Sequence, residues 1–103
     1  MVRFSEFTLD TKNKVLLHSD KQAKLSPKEF KILSELVDSF GVEITEEHII
    51  KKVWGSNNFY SRSALKVYLA KIRFYLMKDE TVMLQSLPEK KLILKVKNLH
   101  STK

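Results

Sequence analysis

The 103-residue chain has no cysteine, only two glycines and only two prolines. Without cysteine, neither a disulfide framework nor a thiolate metal site can form. Long apolar runs are missing too. No stretch approaches the ~18 apolar residues of a membrane span, and the opening MVRFSEFTLD lacks the apolar centre of a signal peptide. A soluble, cytoplasmic chain is expected. The three histidines, His18, His48 and His100, have no ligand spacing and no cysteine to assist them. There is no Gly-rich phosphate loop, nucleophile elbow or H-E-x-x-H. No cofactor, metal or enzymatic activity is expected, and Glu46 and Glu47 read as a helix start, not a catalytic pair.

Acidic residues are scarce in the second half. Residues 1–50 hold 7 Lys/Arg and 9 Asp/Glu, a net of −2, whereas residues 51–103 hold 12 and 3, a net of +9. The formal net charge of +7 therefore comes wholly from the C-terminal half, which points to a polyanionic partner. No dense Lys/Arg cluster of the kind anionic lipid attracts is present. A 43% hydrophobic fraction and a length of 103 residues suit one small globular domain with one core.

Strand signals come first. RFSEFTLD alternates loosely and NKVLLHS follows a polar turn, so the two read as a hairpin to which QAKL adds a third strand. The clearest helix is LSPKEFKILSELVDSFG. Ser26 caps it, Pro27 sits at its first position, Glu29 completes a capping box, and Phe30, Leu33, Leu36, Val37 and Phe40 recur at helical spacing before Gly41. TEEHIIKKVWG is a second helix, with Thr45 as cap, acids at its start, Lys51 and Lys52 near its end, and Gly55 as the stop. SNNFYS reads as a loop. A third helix starts near Ser61 or Ser63 and runs through SALKVYLAKIRFYLM. TVMLQSL and LILKVKN then flank the polar PEKK as a hairpin. The fold class is α+β, with a sheet over about 1–25, a helical core over about 26–78 and a C-terminal hairpin over about 81–98.

On a wheel of 100° per residue, Leu65, Leu69, Ile72 and Leu76 of the third helix share a narrow arc, with Tyr68 and Tyr75 beside it. The opposite face carries Ser63, Val67, Ala70 and Phe74, bordered by Lys66 and Arg73 on one side and Lys71 on the other. A solvated helix surface would be rich in Glu and Lys instead. Small or apolar side chains with a basic rim suit a DNA major groove, where they meet thymine methyls while cations reach guanines or phosphates. The same face could instead pack on the C-terminal hairpin or on a partner protein, and the residues alone leave both readings open.

KLSPKEFKIL, VWG and SALKVYLAKIRFYL, taken in order and spacing, resemble the winged helix-turn-helix DNA-binding domain of the OmpR/PhoB type. The resemblance covers nearly the whole chain, including the N-terminal strands. It implies a bacterial transcription regulator whose third helix enters the major groove and whose hairpin, the wing, lies along the adjacent minor groove or backbone. Val67 and Lys71 match base-reading places; Ser63, Tyr68, Ala70 and Arg73 match places that mostly serve phosphates; Lys66 also faces the groove. Phe74 stands where the family often has Lys, and Lys90 and Lys91 of the wing could meet phosphates. The loop Ser56, Asn57, Asn58, Phe59 and Tyr60 would be available to contact RNA polymerase.

The wing departs from the family's pattern. SLPEKKLIL has no Gly and no aromatic, and Pro88 takes the place of the wing arginine. LPEKK is similar to the wing of the ToxR/CadC branch, in which the domain is N-terminal and a membrane anchor follows. Met1 lies close to the first strand, as expected of an N-terminal domain. No receiver domain is present in this chain, so phosphorylation control within it is not expected. The partner implied is double-stranded DNA, bound by a monomer that pairs on repeated half-sites. The competing function is a protein-interaction module on a winged-helix scaffold with weakened DNA binding, which the wing and Phe74 favour. RNA is a weaker third, since no aromatic platform is evident. Trp54, Phe4, Phe7, Phe30 and Phe40 read as core; exposed loop aromatics at Phe59 and Tyr60 would mark contacts.

Overall fold

The computed structural model describes residues 1–97. The last residue of the expected wing, Asn98, and His100 lie outside the described residues. The chain begins with four short strands, β1 (Val2–Phe4), β2 (Phe7–Asp10), β3 (Val15–His18) and β4 (Lys21–Lys24), in one antiparallel sheet of order β1-β2-β3-β4. RFSEFTLD is thus two strands and not one. Phe4 faces Phe7 across a two-residue turn, and their rings stack with centroids 5.4 Å apart. The expected alternation failed because Phe4 and Phe7 are both buried, on neighbouring strands of one hairpin.

Glycine normally signals such turns, and none is present here. Ser5, Lys14 and Ser19 take the left-handed conformation instead, with φ of 53°, 56° and 56°. The β2–β3 turn is held by Asp10, whose Oδ1 accepts from the backbone N–H groups of Lys12 and Asn13, both at 3.0 Å. These bonds to Asn13 first, and to Lys12, lower the Asp10 carboxyl below its usual range.

The helices follow: α1 (Pro27–Asp38), α2 (Glu46–Trp54) and α3 (Phe59–Leu76). The capping box at Ser26 and Glu29 forms as expected, with Ser26 N–H donating to Glu29 Oε1 at 2.8 Å. Helix α1 stops at Asp38 with Ser39 as cap; Gly41, at φ +81°, belongs to the turn beyond it, so Phe40 reaches the core from outside the helix. Thr45 caps α2, and Gly55 ends it at φ 86°. Such values favour glycine because a side chain would crowd the backbone.

A two-residue strand, β5 (Ile44–Thr45), precedes α2 and was not legible in the sequence. It pairs with the second strand of the hairpin formed by β6 (Val82–Leu87) and β7 (Lys91–Val96), giving a sheet of order β5-β7-β6. The hairpin turn has three residues, Pro88–Lys90, because Leu87 already pairs with Lys91. Leu65, Leu69, Ile72 and Leu76 of α3 are all buried, as the wheel required. They close one core with Ile32, Leu33 and Leu36 of α1, Ile49 and Ile50 of α2, and Leu92 and Leu94 of β7. The arrangement is the α+β winged helix-turn-helix expected, with the four-stranded sheet at its N-terminal end. Among the described residues, no helix is long and apolar enough to cross a membrane.

Candidate nucleic-acid interface

Helix α3 starts at Phe59, earlier than either Ser61 or Ser63. Asn58 is its cap: Asn58 Oδ1 accepts from Ser61 N–H and Ser61 Oγ accepts from Asn58 N–H, each at 2.9 Å. Ser61 is buried, and its hydroxyl also donates to the Ser56 carbonyl at 3.0 Å. A serine at the third helical position stands where a capping box usually has Glu or Gln, so the signal was easy to miss. The expected loop is therefore shortened to Ser56–Asn58. Phe59 and Tyr60 form the first turn of the helix, and both rings are exposed, at 77% and 74%.

The outward face of α3 carries Ser63, Lys66, Val67, Ala70, Lys71 and Phe74, all exposed. Val67, Ala70, Phe74 and Met77 follow at alternating steps of three and four, so they form one seam. Val67, Phe74 and Met77 are 58%, 65% and 75% exposed. Met77 is the C-cap, and its right-handed backbone continues the helical phase, so it extends the expected face beyond Phe74. Lys66 and Arg73 flank the seam on one side and Lys71 on the other, with Lys78 in the turn just past the helix. Among the described residues, none of these four takes part in an ion pair. The seam is a lean apolar strip between two cationic rails.

Two of the residues expected to meet phosphates also hold contacts within the fold. Tyr68 is half-buried, with its ring 6.1 Å from that of Trp54. Trp54 itself packs against the core, and the Lys28 ammonium lies 5.3 Å over its ring. Arg73 is half-buried: Nε donates to the Leu84 carbonyl at 3.1 Å and Nη2 to Ser86 Oγ at 2.7 Å. Strand β6 lies at the edge of its sheet, so the guanidinium covers a carbonyl of an otherwise open edge. This fork adds a polar tie to the apolar core that α3 shares with Val82, Leu84, Leu92 and Leu94 of the wing.

The wing is held on its other side as well. Glu46 N–H, at the start of α2, donates to the Lys90 carbonyl at 2.9 Å. Lys91 Nζ lies 3.8 Å from a Glu43 oxygen and 3.9 Å from a Glu89 oxygen, so its charge is shared with two acids. Lys90 has no ion pair among the described residues. Glu89 and Lys90 both adopt positive φ, 64° and 59°. The turn thus takes the backbone shape that glycine favours, without a glycine.

The far end of α3 is fixed by a polar network. Asp79 Oδ1 accepts from Thr81 Oγ1 at 2.6 Å and Thr81 N–H at 2.8 Å, and Oδ2 accepts from His18 Nε2 at 2.9 Å. Ser5 and Thr81 share a hydroxyl hydrogen bond at 3.0 Å. The Thr81 bonds first, then the His18 contact, lower the Asp79 carboxyl below its ordinary value. At the core side of the helix, Tyr75 donates to Glu29, and burial, with the Glu29 charge second, raises its phenol above the usual value. His48 pairs with Glu35 at 3.1 Å, so the two described histidines each meet a carboxylate, not each other. Among the described residues, no group of three His, Cys, Asp or Glu could hold a metal ion.

The family model described as "Transcriptional regulatory protein, C terminal" matches residues 20–90. The transcriptional regulatory protein RprY of Bacteroides fragilis is 29% identical over 80 residues, which is 78% of this chain and 34% of that protein. The chain spans about a third of the length of this curated relative. Among solved structures, the C-terminal domain of the nisin resistance regulator NsrR, a lantibiotic response regulator, superposes with a TM-score of 0.77 at 26% identity, covering 95% of this chain and all of that one. The DNA-binding domain of Klebsiella pneumoniae RstA, solved in complex with the RstA box, gives a TM-score of 0.75 at 19% identity, with 91% and 95% covered, and bears on the fold alone.

Proposed function

This chain belongs to the family of transcriptional regulatory protein C-terminal domains, of the OmpR/PhoB type, and on that premise we propose that it binds double-stranded DNA sequence-specifically to regulate transcription. Helix α3 enters the major groove, and the β6–β7 hairpin rests on the adjacent backbone. The 103 residues act as one binding unit in the bacterial cytoplasm. The observation that carries this reading is the apolar seam on α3 between Lys66 and Arg73 on one side and Lys71 on the other. A major groove offers base edges at its centre and phosphates at both rims, in the same order. A protein partner at this face would need acids along both edges of its own apolar strip, a narrower requirement.

The wing takes a reduced share in this reading. Pro88 replaces the expected arginine, and Lys91 is drawn toward Glu43 and Glu89. Lys90 remains as its phosphate contact. The Ser56–Asn58 turn with exposed Phe59 and Tyr60 is available to RNA polymerase. One copy reads only a few base pairs, so the protein is a monomer in solution and pairs on half-sites about one helical turn apart.

A titration of labelled promoter duplex tests the proposal. With ~6 phosphate contacts, affinity falls roughly a thousandfold between 50 and 200 mM salt. Absence of duplex binding at 50 mM, or affinity indifferent to salt, overturns it.

A further inference from the structure

We infer that the outward face of α3 reads thymine methyl groups and takes T-rich half-sites as its specific ligand. The inference rests on the DNA-binding proposal and goes on to say which bases are recognised.

It follows from the side chains that are missing. Direct readout in the major groove uses Asn or Gln on adenine, Asp or Glu on cytosine, Arg or Lys on guanine, and apolar groups on the thymine methyl. The eighteen residues of α3 include no Asn, Gln, Asp, Glu or His. Of the two arginines, Arg73 is engaged within the fold on Leu84 and Ser86, and Arg62, exposed in the first turns of the helix away from the seam's centre, holds Asn57 at 3.1 Å. Lys66 and Lys71 flank the seam, where phosphates or a single guanine lie in reach. What stands at the centre is Ser63, Val67, Ala70 and Phe74; only Ser63 has a hydrogen-bonding side chain, and a hydroxyl that can donate or accept does not single out one base. The one base feature in the groove that such a surface favours is a methyl group. From Val67 to Phe74 the strip is about 10 Å long, or about three base-pair steps.

The cationic rails also select the occupant. Two copies of α3 packed through this seam would bring Lys66, Lys71 and Lys78 of each against the other's, with no acid on the helix to offset them. A duplex brings phosphates to the same places.

The test uses the whole chain and a random-sequence duplex pool at 50 mM salt. Recovered sites are remade with uracil for thymine, which removes only the methyl groups. Two variants, Val67→Ser and Phe74→Ser, alter exposed positions that the core does not use. We expect recovered half-sites to be rich in thymine. Uracil replacement should weaken binding by about fourfold per contacted methyl, and this preference should shrink toward one in the double variant while its residual, salt-sensitive binding persists. Uracil duplexes bound as tightly as thymine duplexes, or a preference unchanged in the double variant, overturn this inference alone. Failure of the wild type to bind any duplex overturns it together with the DNA-binding proposal.

Discussion

Arg73 Nη2 donates to Ser86 Oγ at 2.7 Å, while its Nε holds the Leu84 carbonyl. One side chain of the recognition helix thus ties the edge strand of the wing at two points. A lysine at 73 keeps the charge but cannot fork to two acceptors. Arg73→Lys should therefore weaken duplex binding nearly as much as Arg73→Ala. In either background the further loss from Lys90→Ala should shrink, because a wing held without the fork, by its core leucines and the Glu46–Lys90 backbone bond, fixes Lys90 less firmly against the helix. A full double-mutant cycle by fluorescence anisotropy measures this coupling. Strict additivity, with affinity restored by lysine, would mean that Arg73 acts as a simple phosphate contact.

The Asp79 network sets an acid limit on stability. Its carboxyl is lowered in the fold by Thr81 and then His18. A lowered folded value means stability that is full above the unfolded carboxylate pKa, about 3.9, and lost as pH falls through the folded value. Asp79→Asn should cost about 1–3 kcal/mol at pH 7, since it disturbs bonds to Thr81 and His18. The cost should vanish progressively below pH 4. Urea unfolding from pH 3 to pH 7 checks both parts; a cost that stays constant with pH excludes the charged form as its source.

Lys90 sits at φ 59° in a three-residue turn and, among the described residues, supplies an unpaired cation at the tip of the wing. Relief of the left-handed strain is worth roughly 1 kcal/mol. Lys90→Gly should therefore raise the unfolding free energy by up to that amount and weaken binding to specific and random duplexes about equally. Stability measured by thermal melts and affinity measured by titration should move in opposite directions. A variant that lost stability would show that the turn is not strained.

Phe74 is exposed on the cation-flanked seam. Analytical ultracentrifugation should find a monomer at micromolar concentration, with and without Phe74→Glu. A two-half-site duplex should recruit two wild-type copies. A tight DNA-free dimer dissolved by Phe74→Glu would assign the seam to a second copy instead.

Local chemistry made much of this protein legible from its residues. Ser26, Pro27 and Glu29 announce α1, and Thr45 and Gly55 bound α2, because caps act within one turn of chain. Leu65, Leu69, Ile72 and Leu76 mark the buried stripe of α3, because a helix repeats every 3.6 residues whatever it packs against. The outward strip of Ser63, Val67, Ala70 and Phe74 follows from the same periodicity. The features that needed tertiary structure are those between distant segments. The Phe4–Phe7 turn has no glycine to signal it. Ile44 and Thr45 are a strand only because β7 passes beside them. The intramolecular contacts of Arg73, Tyr68 and Lys91 escaped the sequence for the same reason. Periodicity places each near the groove-facing side or the wing, but a charge or ring takes the partner that folding brings within reach. For Arg73 that partner is an edge strand, for Tyr68 the ring of Trp54, and for Lys91 two carboxylates. Sequence alone thus set which face of α3 is offered outward, and the packing of the wing against α3 and β5 decided which of its cations remain unpaired.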